Sequence, residues 1–219
     1  MEKNHITRHP NTQHIFQDAY IAAEHPQLHT MQSMWALVYE RRIPVWVLLQ
    51  SFPENDQEYP SVIPAVERQL VGPFELTLTG LQSYHNFVEY YVEIAVQGSH
   101  MASSHMVVLV VMNGWPHDQD LPSSVEPLLA VLERAESLND PMTSALVTCR
   151  DGVTATGVMM ALFVLIERIK LFQEVDVYRS VQEVIYARPQ FITSVDQYDL
   201  LYEAAAMYLE AYNTYGNFN

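Results

Sequence analysis

The chain has 219 residues, of which 49% are apolar and 17% charged, which fits one folded domain and excludes a disordered segment. Eleven Lys and Arg against 26 Asp and Glu give a net charge of −15 at pH 7, with Lys3 and Lys170 the only lysines. Nucleic acid and an anionic membrane are thereby excluded as partners, since either needs a basic face to displace counterions or meet lipid charge.

Taken in chain order, the polar start carries no secretory signal. Residues 20–23 read as a short strand. Residues 31–42 place Met31, Met34, Trp35, Leu37 and Val38 at helical spacing. The continuous apolar run 45–49 predicts a buried strand. Phe74, Leu76 and Leu78 alternate with polar residues, as in a half-buried strand. Residues 87–96 and 105–112 predict a hairpin whose turn lies at 98–104. An amphipathic helix is expected over 124–137, capped by Ser123 or Ser124. Then come a strand at 145–147, a loop at 149–157 and helices at 158–170, 176–187 and 195–212. Arg188–Pro189 separates the last two. On the final helix Tyr198, Leu201, Tyr202, Ala205 and Leu209 fall on one face, and Tyr198, Tyr202, Tyr208 and Tyr212 read as core and rim packing, with a docking stripe as the alternative. The longest apolar runs, 106–112 and 158–166, fall far short of the roughly 20 residues that cross a bilayer. The fold class is α/β or α+β: a mixed sheet with helices packed on its faces.

Cys149 is the only cysteine, which excludes an intrachain disulfide and a cysteine-based zinc site and points to a reducing compartment. His25 and His29 stand four apart, but Pro26 interrupts them, so neither metal nor cofactor is expected and the fold should form without either. The informative segment is residues 146–157, Leu-Val-Thr-Cys-Arg-Asp-Gly-Val-Thr-Ala-Thr-Gly: strand, small-residue loop, helix. Loop amides and a helix N-terminus directed at one spot make an anion cradle, and the helix dipole is expected to lower the pKa of Cys149 at its rim.

That segment resembles the signature loop of the protein tyrosine phosphatases, His-Cys-x5-Arg-Ser/Thr-Gly. Further motifs follow in the family's order: Asn4-His-Ile-Thr, Asp18-Ala-Tyr-Ile-Ala-Ala-Glu-His-Pro26, Met34-Trp-Ala-Leu-Val-Tyr-Glu40, Gly114-Trp-Pro-His-Asp118 at the place of the mobile Trp-Pro-Asp loop, and Val195-Asp-Gln-Tyr198. The resemblance implies a twisted mixed sheet with helices on both faces, lacking the family's N-terminal recognition loop. The Ala204–Leu209 stretch and the Cys-Arg-Asp-Gly loop are most similar to the second, membrane-distal domain of receptor phosphatases of the LAR or leukocyte type. Such domains are often catalytically degenerate and serve in regulation. The implied location is the cytoplasm, as the intracellular part of a single-pass receptor. The implied partners are proteins, such as a catalytic phosphatase domain or an adaptor.

Carried over residue by residue, the nucleophile is Cys149, the arginine that grips phosphate is replaced by Ala155, and the preceding histidine by Thr148. The general-acid position is His117, with Asp118 one residue further as a shifted acid. Thr193 replaces one glutamine of the final loop and Gln197 keeps the other. Arg150, Asp151, Gly152, Val153, Thr154, Thr156 and Gly157 complete a degenerate phosphate loop in which the Asp151 carboxylate opposes a dianion. A further recognition motif is reduced to Glu58-Tyr-Pro60. The resemblance therefore implies an inactive relative serving as an interaction module. The alternative is a residual phosphotyrosine phosphatase using Cys149 and Asp118. Restoring Ala155→Arg with His117→Asp is expected to give partial activity, rising about ten-fold with Asp151→Ala. Cys149 reads either as a redox-sensitive thiol or as an inherited core thiol. The acidic surface suits a basic partner face.

Overall fold

The computed structural model describes residues 19–53, 56–98, 104–140 and 142–216. The Asn4–Thr7 motif, Asp18 and most of the predicted hairpin turn lie outside them. One seven-stranded sheet runs in the order β1-β7-β2-β6-β5-β4-β3. Its strands are β1 Tyr20–Glu24, β2 Val45–Leu48, β3 Arg68–Val71, β4 Phe74–Ser83, β5 Phe87–Val96, β6 His105–Met112 and β7 Ala145–Cys149. The β1/β7, β7/β2 and β2/β6 pairs are parallel, and the β6/β5, β5/β4 and β4/β3 pairs are antiparallel. The helices are α1 Met31–Glu40, α2 Glu126–Leu138, α3 Thr154–Phe172, α4 Val177–Ala187 and α5 Val195–Gly216.

The strand period of two sorts side chains into two cores. Val45, Val47 and Leu49 of β2 and the segment after it, with Val108 and Val110 of β6 and Val147 and Cys149 of β7, face the layer made by α2 to α5. Trp46, Leu48, Leu109 and Leu146 face the other way, onto Met34, Trp35 and Val38 of α1. The parallel strands are buried on both faces, which is why they read as unbroken apolar runs.

Several boundaries depart from the sequence reading. The short strand β3 was not expected: Arg68–Val71 is an edge strand with half-exposed side chains, so it carries little apolar signal. Helix α2 starts at Glu126 and takes no cap from Ser123 or Ser124; the Ser123 amide instead donates to the Gly114 carbonyl at 2.9 Å. Helix α3 starts at Thr154, so the loop is shorter than 149–157 and Ala155 lies in the first helical turn. On α5 the buried set is Gln197, Leu200, Leu201, Ala204 and Ala205, one step round the helix from the expected face, and Tyr202 is 50% exposed. Helix α4 is capped by Asp176, whose carboxylate accepts from the Arg179 amide at 2.8 Å.

One buried ion pair ties the layers together. Glu89 of β5 is fully buried, and both its oxygens accept from the Arg134 guanidinium of α2. The Tyr91 hydroxyl adds a bond of 2.7 Å to the same carboxylate.

Candidate active site

The carboxyl ends of the four parallel strands converge, which is where open α/β sheets place their chemistry. Cys149 is the last residue of β7 and is 1% exposed. Its thiol donates to the Asp151 carboxylate at 3.2 Å and lies 3.6 Å from the Thr156 hydroxyl, while its sulfur accepts from the Thr156 amide at 3.4 Å. Thr148, in the place of the family's histidine, points to the opposite face of the sheet and accepts from the Trp46 indole at 2.8 Å.

Asp151 decides the character of the loop. One carboxylate oxygen accepts from the amides of Val153 and Thr154, each at 2.8 Å, and the other accepts from the Thr154 hydroxyl at 2.6 Å. These are the donors a loop at a helix N-terminus would offer to an external anion. Partial burial pushes the Asp151 pKa up, but the bonds from Thr154 and Val153 outweigh it and hold the carboxyl below its ordinary value. The expected low pKa of Cys149 is overturned. Burial first, and the Asp151 charge second, push the thiol up to about 11, against which the Thr156 hydrogen bonds pull only weakly. A helix dipole acts through partial charges, whereas Asp151 sets a full negative charge beside the sulfur and closes it from water.

Two residues not singled out in the sequence hold this loop. The Gln50 side chain, past the end of β2, accepts from the Arg150 amide at 2.9 Å and donates to the Gln119 carbonyl at 3.3 Å. It thus bridges the signature loop to the segment in the place of the mobile loop. Arg188, just after α4, donates to the Gly152 carbonyl at 2.8 Å and lies over the Phe191 ring at 5.5 Å. Gly152 needs its glycine: φ is +65°, and a Cβ would stand 2.4 Å from the Glu24 amide nitrogen. Gly157 presses on Phe191, where a Cβ would come within 3.0 Å of the ring. The Arg150 side chain is exposed, and Ala155 is wholly buried.

The segment expected to carry the acid is docked elsewhere. The His117 amide donates to the Ser51 carbonyl at 3.1 Å, and its ring stacks on Phe52 with centroids 5.2 Å apart. Phe52 stacks in turn on Tyr59 and lies against His25. Tyr59, from the reduced Glu58-Tyr-Pro60 motif, is thereby part of this aromatic cluster. Burial pushes the His25 pKa down to about 4, so the ring is neutral at pH 7. Asp118 is exposed, and no hydrogen bond among the described residues joins it or His117 to the Cys149 loop. The buried Gln197 side chain accepts from the Thr193 amide at 2.9 Å and so orders its own turn. Among the described residues no group of three His, Cys, Asp or Glu side chains is placed to hold a metal, and no helix is long and apolar enough to cross a membrane.

Asp151→Ala should therefore have two effects. The thiolate should appear at lower pH, since the Asp151 charge and its hydrogen bond, which add to burial in raising the Cys149 pKa, are removed. The start of α3 should lose about 1 kcal/mol, as for a lost cap. Ultraviolet thiolate absorbance against pH, beside urea unfolding, reads both. An unshifted thiol titration would contradict the assignment.

The sequence matches the family described as Protein-tyrosine phosphatase over residues 2–207, and the chain belongs to that family. It is 27% identical over 212 residues to human receptor-type tyrosine-protein phosphatase alpha, covering 92% of this chain and 25% of the relative. It is 25% identical over 207 residues to human receptor-type tyrosine-protein phosphatase C, covering 90% of this chain and 16% of the relative. Rat tyrosine-protein phosphatase non-receptor type 7 is 25% identical over 191 residues, covering 86% of this chain and 52% of the relative. The chain thus spans about a quarter or less of the two receptor-type relatives.

Proposed function

We propose that this is a catalytically inactive tyrosine-phosphatase-like chain, acting in the cytoplasm as a regulatory or protein-interaction module in receptor phosphatase signalling, with a catalytic phosphatase domain or an adaptor as partner. The observation that carries the reading is the Asp151 carboxylate bound by the loop amides that an incoming phosphate would need. Three features support it. Ala155 offers no guanidinium fork for equatorial oxygens. Cys149 is a protonated thiol at neutral pH and hence a poor nucleophile. His117, in the acid's place, is stacked on Phe52. Losing one preorganised donor costs about 10²–10³ in rate and losing the acid about 10²–10⁴, with the two not simply additive.

Aryl-phosphate turnover at background, unchanged by Cys149→Ser, is the expected result. Phosphotyrosine peptides should bind weakly or not at all by calorimetry. Turnover that vanishes with Cys149→Ser and falls with Asp118→Asn would instead establish the residual phosphatase.

A further inference from the structure

The acid-rich helices α4 and α5 leave aromatic surface open. Tyr178 is 65% exposed, Tyr202 50% and Val195 73%. Val195, Tyr198 and Tyr202 stand at i, i+3 and i+7 on α5, with Asp199 among them; Val195 and Tyr202 are exposed, and Tyr198 is half-buried, its inner side packed on the core. Tyr198 and Tyr202 meet edge to face, their centroids 5.5 Å apart and their planes at 64°. Tyr178 and Asp176 come from the start of α4 and lie near Tyr198. Its hydroxyl pKa is raised first by the hydrogen bond with Tyr202, then by burial and by the proximity of Asp176 and Tyr178. Charge over residues 175–203 is one-sided: Asp176, Glu183, Asp196, Asp199 and Glu203 stand against Arg179 and Arg188, while Glu174 just before them is paired with Arg168 at 3.5 Å. Arg188 is already engaged with Gly152 and Phe191. Among the described residues, arginines lie over the rings of Tyr39, Phe172 and Phe191, and none over these three tyrosines.

We propose that Tyr178, Tyr198 and Tyr202, with the carboxylates of α4 and α5, form a docking surface for an arginine-rich segment of a partner protein. Tyrosine faces attract a guanidinium through their quadrupole and stack on its plane, while neighbouring carboxylates take its N–H groups in pairs. Lysine matches such a surface less well, because its ammonium is a strongly hydrated point charge without a plane. The net charge of −15 brings a basic segment in at long range and repels an acidic one. This deepens the interaction-module reading by naming the chemistry of the partner. The test reads binding and not turnover, so either can fail alone.

Oligoarginine and oligolysine peptides of equal length would be titrated into the whole chain, followed by calorimetry and by amide chemical shifts. The arginine peptide should bind more tightly, with shifts centred on residues 176–178 and 195–203. Tyr178→Ala and Tyr202→Ala, at exposed positions, should each weaken it about three-fold, and Tyr202→Phe, which keeps the ring, should not. Equal affinity for the two peptides, affinity indifferent to the tyrosine variants, shifts spread over the acidic surface, or no binding would each overturn the proposal.

Discussion

Arg134→Ala should destabilise the fold by about 3 kcal/mol, the lower end of the range for breaking a buried pair, because the Arg134 side chain is itself 31% exposed. Glu89 is fully enclosed on β5 and would keep only the Tyr91 hydroxyl as a partner. The deficit should depend on pH with a defined sign. In the parent, burial pushes the Glu89 pKa up, but the bonds from Arg134 and Tyr91 outweigh it and hold the pKa below its ordinary value. The pair's contribution is thus complete above the unfolded pKa of about 4.3 and fades as pH falls through the folded value. In Arg134→Ala burial dominates, the carboxyl titrates above its ordinary value, and acidification relieves the stranded charge. The two urea midpoints should therefore be furthest apart near neutrality and converge towards pH 4. A constant gap across that range would show that packing of α2, and not the charge, is what Arg134 provides.

Ala155→Arg with His117→Asp should yield no activity and cost about 2–3 kcal/mol. From sequence alone this pair of changes promises partial rescue, whereas the burial of Ala155 argues for the opposite outcome. It sits in the first turn of α3, wholly buried in the larger core, so the added side chain overfills closed space. The carboxylate in the same loop is Asp151, and the new guanidinium would pair with it and shut the cradle further. Freeing the amides with Asp151→Ala should then matter more than restoring the fork. The triple variant should be the first to show measurable kcat/KM on an aryl phosphate. Activity in the double variant at parental stability would mean that Asp151 leaves the cradle when phosphate arrives.

The strand-loop-helix around Cys149 was legible because its elements are contiguous and its small residues have one use. The sheet's parallel half was legible from unbroken apolar runs at β2, β6 and β7. Contacts between distant parts of the chain were not. Gln50 meets the Arg150 amide across 100 residues, and Arg188 meets Gly152 across 36. Neither carries a local pattern that would mark it. Asp151 reads from sequence as a charge hostile to phosphate. Its inward turn onto the Val153 and Thr154 amides depends on backbone geometry that composition does not encode. The dipole of α3 is legible in the sequence and implies a low pKa for Cys149, whereas closure of the sulfur from water, which raises it, is not. The buried face of α5 lies one residue from the face its pattern predicts, because tyrosines read as core although a tyrosine edge is equally at home in water.

The occupant of this cradle is tethered to it by two peptide bonds. A tethered ligand acts at an effective concentration of millimolar or above that no dilution can lower. Free phosphate, or an oxyanion inhibitor that resembles it, would have to outcompete a neighbour that never diffuses away. The loop should therefore hold one shape whatever the phosphate level around it. Any surface built on that loop and on α3 should then be presented to partners constantly, indifferent to the phosphate in the surrounding solution.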